Sequence, residues 1–275
     1  MAPEKVNELK RLLESEPNAR ISLAICDLAS GYQLLAHPDV PFHPASTFKM
    51  GVMMEVFHQA AQGAFSLDDL LPVKNTFTSI ADQSEFSLSP NDDSETDLYQ
   101  HIGEQLSMRD LTRRMIVYSS NLATNLLIEK AGAERVTRFM QDLGTNDLVI
   151  RRGSEDNKAY ALRLNNSATA RSLMQVLVRL VKRSVVSPAA SDEMIAILLQ
   201  QHYNEGIPAR LPESVRVAHK TGWNDKLYHD AAIVFPPQHT PYVVVIMTSG
   251  LPETTEAPAL VAALSAEIYR QLIAQ

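Results

Sequence analysis

The chain lacks the features that would place it in several common classes. Its single cysteine, Cys26, lies in an apolar run among 275 residues. One cysteine excludes an intramolecular disulfide framework and reads as a buried structural thiol. No stretch approaches the roughly 20 consecutive apolar residues that span a bilayer, so no membrane span is expected. A basic excess is missing too: 25 Lys and Arg face 32 Asp and Glu, a net charge of −7. That balance speaks against nucleic acid or an anionic membrane as partner. There is no internal repeat and no G-x-S-x-G elbow, so an α/β-hydrolase is not expected. His219 and His229 lack the cysteine, carboxylate or histidine company of a metal site and read as structural or rim residues. No metal and no cofactor are expected. The opening Met1-Ala2-Pro3-Glu4-Lys5 leads into a charged amphipathic pattern, so no signal peptide is expected there.

What is present is 45% hydrophobic and 21% charged, enough for a substantial core. Val6, Leu9, Leu12 and Leu13 recur at helical spacing and predict a first helix. Apolar runs at 21–28 and 32–36, joined at Ala29-Ser30-Gly31, predict a β-hairpin. Helical periodicity then dominates, with helices expected over 49–61, 108–117, 122–130, 133–143, 168–181 and 191–202. Strands return at 215–220, 230–235 and 242–248, and a last helix over 258–273 aligns Leu260, Leu264, Ile268 and Leu272. This order predicts an α/β domain from residues 1–43 and 204–275, interrupted by an all-α domain over 44–203. A site is expected in the groove between them. The polar stretch 84–96, with Asp92-Asp93-Ser94-Glu95, reads as a solvated loop.

Three short motifs carry the chemistry: Ser46-Thr47-Phe48-Lys49, Tyr118-Ser119-Ser120-Asn121 and His219-Lys220-Thr221-Gly222. Each has a plainer reading alone. Ser46 could cap a helix, Ser119 or Ser120 could cap the next, and Lys220 could be an exposed strand end. Jointly, in this order, they describe serine acyl transfer. Residues three apart share a helix face, which puts Ser46 beside Lys49. A serine hydroxyl needs a base to take its proton. A desolvated lysine near a second cation, here Lys220, can be that base. The backbone N–H groups of Ser46 and Trp223 would form an oxyanion hole. Ser119 would relay a proton to the leaving amine, Asn121 would hold a substrate amide, and Gly222 would leave room for substrate along the strand. His43, just before Ser46, would line the cleft mouth.

The three motifs, with Asn121-Leu122-Ala123-Thr124-Asn125-Leu126-Leu127 after the second, resemble the class A β-lactamase and penicillin-binding-protein superfamily of active-site serine enzymes. The resemblance runs from the hairpin to the last helix. It implies an α+β fold of the β-lactamase/transpeptidase-like type, an antiparallel sheet flanked by terminal helices with an inserted all-α domain. It also implies Ser46 as nucleophile, Lys49 as proton acceptor, Ser119 as relay and Asn121 as the acylamino contact. Lys220 with Thr221 would bind the substrate carboxylate. Two departures stand out. Ser120 replaces the family's mainly structural aspartate. The family's deacylating glutamate is followed four residues later by an asparagine, whereas here Glu155 is followed by Ala159. Glu155 or Asp156 could point inward, or be a solvated loop carboxylate.

The function expected is a serine hydrolase forming an acyl-enzyme at Ser46, a β-lactamase acting on β-lactam amides. One alternative is a D-Ala-D-Ala peptidase or small-ester hydrolase that β-lactams acylate without efficient turnover. Another is a non-catalytic penicillin-binding sensor. The partner is a small molecule (β-lactam, peptide or ester), and a monomer is expected, with a dimer as the alternative. Relatives of this type act in the periplasm or outside the cell, which the chain's start does not match, so the compartment stays open.

Overall fold

The computed structural model describes residues 9, 11–14, 16–252 and 255–273. Of the expected first helix, Leu9 and residues 11–14 are helical and Leu9 is buried, while Val6 lies outside the described residues. The hairpin forms as expected from β1 (Arg20–Asp27) and β2 (Gln33–Ala36). Its turn is built by Asp27, whose carboxylate accepts the Ala29 and Ser30 amides, and by Gly31 at φ +74°.

The helical stretch begins with a 3-10 turn, Ala45–Phe48, running directly into α1 (Lys49–Ala61). Ten of the 13 residues of α1 are buried, so this helix is core on all sides and not amphipathic. Small strand pairs interrupt what the periodicity reads as helical: β3 (Leu70–Pro72) with β6 (Gln105–Ser107), and β4 (Phe77–Thr78) with β5 (Glu85–Phe86). Strands of two or three residues are too short to carry a recognisable alternation. Then come α2 (Met108–Val117), α3 (Asn121–Ala131), α4 (Ala133–Asp142), a short α5 (Asn157–Ala161), α6 (Ala170–Val181) and α7 (Pro188–Leu198). The last stops four residues before its expected end. Gln201 and His202 turn back instead, donating to the Ile116 and Val117 carbonyls at 3.0 and 3.1 Å.

The tail supplies β7 (Arg216–Asn224), β8 (Leu227–Phe235), β9 (Tyr242–Ser249) and α8 (Glu256–Leu272). The five long strands form one antiparallel sheet in the order β2-β1-β9-β8-β7. The central strand is buried on both faces, which explains its unbroken apolar run. Alternation divides it: Val243, Val245 and Met247 join the core shared with the helices of residues 49–198, whereas Tyr242, Val244 and Ile246 join a second core under α8. Cys26 is buried on the first face, and burial pushes its thiol pKa up. Among the described residues no helix is long and apolar enough to cross a membrane.

Helix α6 packs across β1, β8 and β9 and fixes the helical layer to the sheet. Leu177 on it is fully buried. Leu177→Ala is expected to lower unfolding free energy by about 2–5 kcal/mol, since the void cannot collapse fully. The midpoint of a urea titration at unchanged slope checks this.

Candidate active site

The nucleophile candidate sits on a turn anchored from below. Thr47 is fully buried and donates its hydroxyl to the Pro44 carbonyl at 2.6 Å, and Phe48 enters the helical core. Ala45 adopts φ +44°, and its amide donates to His43 Nδ1 at 3.1 Å. Between these anchors Ser46 remains partly exposed and lines a cavity of about 550 Å³.

Lys49 is the first residue of α1 and is fully buried. Its Nζ donates to Ser119 O at 2.7 Å, Ser120 O at 3.5 Å and Asn121 Oδ1 at 2.8 Å. Removal from water lowers its pKa to about 8, against the raising influence of the Asp93 and Glu155 carboxylates. Lys220 is fully buried as well and donates to Ser119 Oγ at 3.0 Å and Thr221 O at 2.9 Å. Its pKa is held well below the usual lysine range by burial first and by the Lys49 charge second, with Asp230 opposing. The Lys49 charge thus works against that of Lys220 on the other side of Ser119.

Ser119 is nearly inaccessible and adopts φ +60°, a conformation uncommon outside glycine and asparagine. It turns its carbonyl toward one lysine and its hydroxyl toward the other. Ser120 is the cap: its Oγ accepts the Ala123 amide at 3.2 Å. Asn121 bridges two charged groups, accepting from Lys49 and donating from Nδ2 to Glu155 Oε1 at 2.8 Å.

Glu155 is therefore turned inward. It lines the same cavity as Ser46, and burial raises its pKa, with the Asn121 bond opposing. Asp156 is structural: its carboxylate caps α5 through Ala159 N and accepts from Ser79 Oγ and Ile80 N. The backbone of this loop is clamped by Asn125, which accepts from Ser154 N at 2.7 Å and donates to Ser154 O at 3.0 Å. Gly153 makes the clamp fit, because a Cβ there would fall 2.1 Å from Asn125 Oδ1.

On β7, alternation puts Lys220 and Gly222 on one face and His219, Thr221 and Trp223 on the other. Gly222 answers a packing constraint besides the expected clearance for substrate. A Cβ at Gly222 would meet Ser46 N at 2.6 Å and Thr47 N at 2.9 Å. The obstruction falls on the turn of the nucleophile before it concerns any substrate. Trp223 lines the cavity and packs edge-on against Tyr203. Thr221 is buried, and its Oγ1 has no hydrogen-bond partner among the described residues.

His43 lines the cavity, its pKa lowered to about 4 chiefly by burial, which keeps it neutral. His229 is buried, bonded to His43 O and Thr248 N, and its pKa also falls to about 4 by burial. His219 is buried against Asp230 and Asn204. Both are structural histidines, and neither is on the rim.

The stretch 84–96 is a solvated loop only in part. Asp93 and Glu95 are buried, and the Asp93 carboxylate accepts the amides of Asn121 and Leu122 at 2.9–3.0 Å. Glu95 pairs with Arg114 on α2. Nothing local in a run of four polar residues tells which carboxylate turns inward.

The sequence model of the β-lactamase enzyme family matches residues 4–272. The chain belongs to that family. Curated relatives include the β-lactamase of Streptomyces lavendulae, 26% identical over 90% of this chain and 79% of that protein. β-Lactamase L2 of Stenotrophomonas maltophilia is 27% identical over 82% of this chain and 71% of that protein. Among solved structures, a β-lactamase from Sphaerobacter thermophilus superposes with TM-score 0.84 at 22% identity, covering 98% of each chain. PBP-A superposes with TM-score 0.83 at 22% identity, covering 99% of this chain and 97% of that one. These likenesses bear out the α+β, β-lactamase/transpeptidase-like fold, and the family makes the chain a hydrolase of the β-lactamase type.

Gly222→Ala is expected to push the Ser46 turn away from β7. A displacement of about 1 Å at a reacting atom lowers rates by about 100-fold. Single-turnover acylation by a chromogenic cephalosporin measures this, with a melting curve to register the loss of packing.

Proposed function

We propose that the chain hydrolyses β-lactam amides through an acyl-enzyme at Ser46. The observation carrying this reading is Glu155, a carboxylate in the cavity of Ser46, hydrogen-bonded to Asn121 and with its pKa raised by burial. Neutral Lys49 takes the Ser46 proton as Oγ attacks the lactam carbonyl. The resulting oxyanion is received by the Ser46 and Trp223 amides. As the C–N bond breaks, Ser119 gives its proton to the departing nitrogen and is reprotonated from the lysine side, where Lys220 already donates to its Oγ. Asn121 contacts the substrate's amide and Lys220 draws its carboxylate, while Thr221, whose Oγ1 is buried and which is not part of the cavity lining, is left out of these contacts. Glu155 then removes a proton from water as it attacks the ester, and Ser46 leaves with a proton returned to it. A carboxylate with a raised pKa is the better base for that step.

Support comes also from relatives: the Streptomyces and Stenotrophomonas proteins are named β-lactamases, and a variant of PBP-A has been solved as an acyl-enzyme with penicillin G.

Incubation with penicillin G followed by intact-protein mass spectrometry should show a transient adduct and complete substrate turnover. Ser46→Ala should abolish both. Glu155→Gln should acylate at near-native rate and then hold its adduct at least about 100-fold longer. A native adduct that persists without turnover would instead select the peptidase that β-lactams block.

The pH profile has a defined sign. Only the neutral lysine accepts a proton, and the pKa of Lys49 is lowered to about 8. Acylation rates should climb with pH up to about 8 and level off above it, as stopped-flow measurements would show.

A further inference from the structure

We propose that Asp93 is a positioning residue of the acyl-transfer site, fixing the backbone at Asn121 and Leu122 and thereby the carbonyl cradle that holds Lys49. This deepens the reading above and rests on it for its kinetic consequences. The first amides of a helix have no partner within it. At the start of α3, Ser120 Oγ takes the Ala123 amide, and Asp93 takes those of the two preceding residues. The same carboxylate accepts from Glu95 N at 3.2 Å and from Tyr99 OH at 3.0 Å. Every partner is a donor, so the site requires an acceptor on both oxygens. An amide in place of the acid would turn an NH2 group toward one of them.

The hold extends to both sides of Ser119. Glu95, two residues beyond Asp93, pairs with Arg114, whose carbonyl accepts the Tyr118 and Ser120 amides at 3.2 and 3.3 Å. The acidic loop thus holds both the helix that ends before Ser119, through Arg114, and the helix that begins after it, through the Asn121 and Leu122 amides. Ser119 and Ser120 supply two of the three oxygens around Lys49 Nζ, and Asn121 supplies the third.

Charge acts in the same direction as geometry. Lys49 faces Asp93, Glu155 and Lys220, and the two carboxylates sustain its positive form against burial. Asp93 in turn faces Glu95 on its own loop, Glu155, Tyr99 and Tyr203. The family's structural aspartate at position 120 is a serine here, and the carboxylate at this helix start comes from a loop 27 positions earlier.

The test combines titration of Lys49 with kinetics in the native protein, Asp93→Asn and Asp93→Ser. Lysine labelled with 13C at Cε gives the Lys49 resonance, assigned by its loss in Lys49→Arg. Removing the Asp93 charge should lower the Lys49 titration midpoint by roughly one pH unit. The rising limb of acylation should move down in pH with it, and the plateau should fall about 10- to 100-fold. Lower melting temperatures with the Lys49 midpoint and the kinetic limb unchanged would show a merely structural cap and overturn the proposal. If the native protein forms no β-lactam adduct, the hydrolase reading falls while the lysine titration still decides on Asp93. Should neither variant fold, hydrogen exchange in the native protein decides: protected Asn121 and Leu122 amides are expected, and exchange at the unprotected rate refutes the hold.

Discussion

Two lysine ammonium groups taken out of water are the constraint on which the site depends. Burying a charge without partners is prohibitive, so each must be given oxygen atoms or lose its proton. Lys49 receives three oxygens, all from three consecutive residues, 119 to 121. Placing those oxygens forces Ser119 into a left-handed conformation, and that turn is held by a loop carboxylate and an arginine network. The compensation is partial. Both amines keep depressed proton affinities, which is the property a proton-accepting amine needs near neutral pH. The structural burden and the proposed chemistry fall on the same pair of side chains.

The second half of the site is organised differently. Glu155 lies on a loop, and its backbone, also left-handed, is fixed by neighbours that do no chemistry. Asn125 grips Ser154, Asp156 caps the next helix and bonds to Ser79, and Gly153 allows loop and helix to touch. One side chain, Asn121, joins this loop to the lysine. A disturbance at either end therefore has a direct route to the other.

Much of this was legible in the chain. The hairpin, the long helices and the return of strands have strong periodicities, and the three motifs name Ser46, Lys49, Ser119 and Lys220 through fixed local spacing. The inward turn of Glu155 was not legible, because its orientation depends on contacts with Asn121 and on the loop's clamps. Asp93 was hidden for the same reason: a carboxylate within a polar run gives no sign that it will be buried against amides far along the chain. Gly222 carries a further constraint that was not legible, since sequence does not show that a Cβ there would meet the Ser46 turn at 2.6 Å. The short strand pairs escaped because a few residues are not enough for a pattern.

The position of β7 has a consequence beyond chemistry. Among the described residues it is the last strand of the sheet, paired with β8 alone, and an unpaired strand edge is a template for adding another extended chain. Here the nucleophile's turn presses against that strand through Gly222, and the cavity opens beside it at Trp223 and Asn224. The strand is thus flanked on one face by that turn, and the cavity beside it is lined by Ser46. Any extended chain that came to pair with β7 would therefore have to approach past the Ser46 turn and the mouth of the cavity, which narrows the directions from which it can arrive.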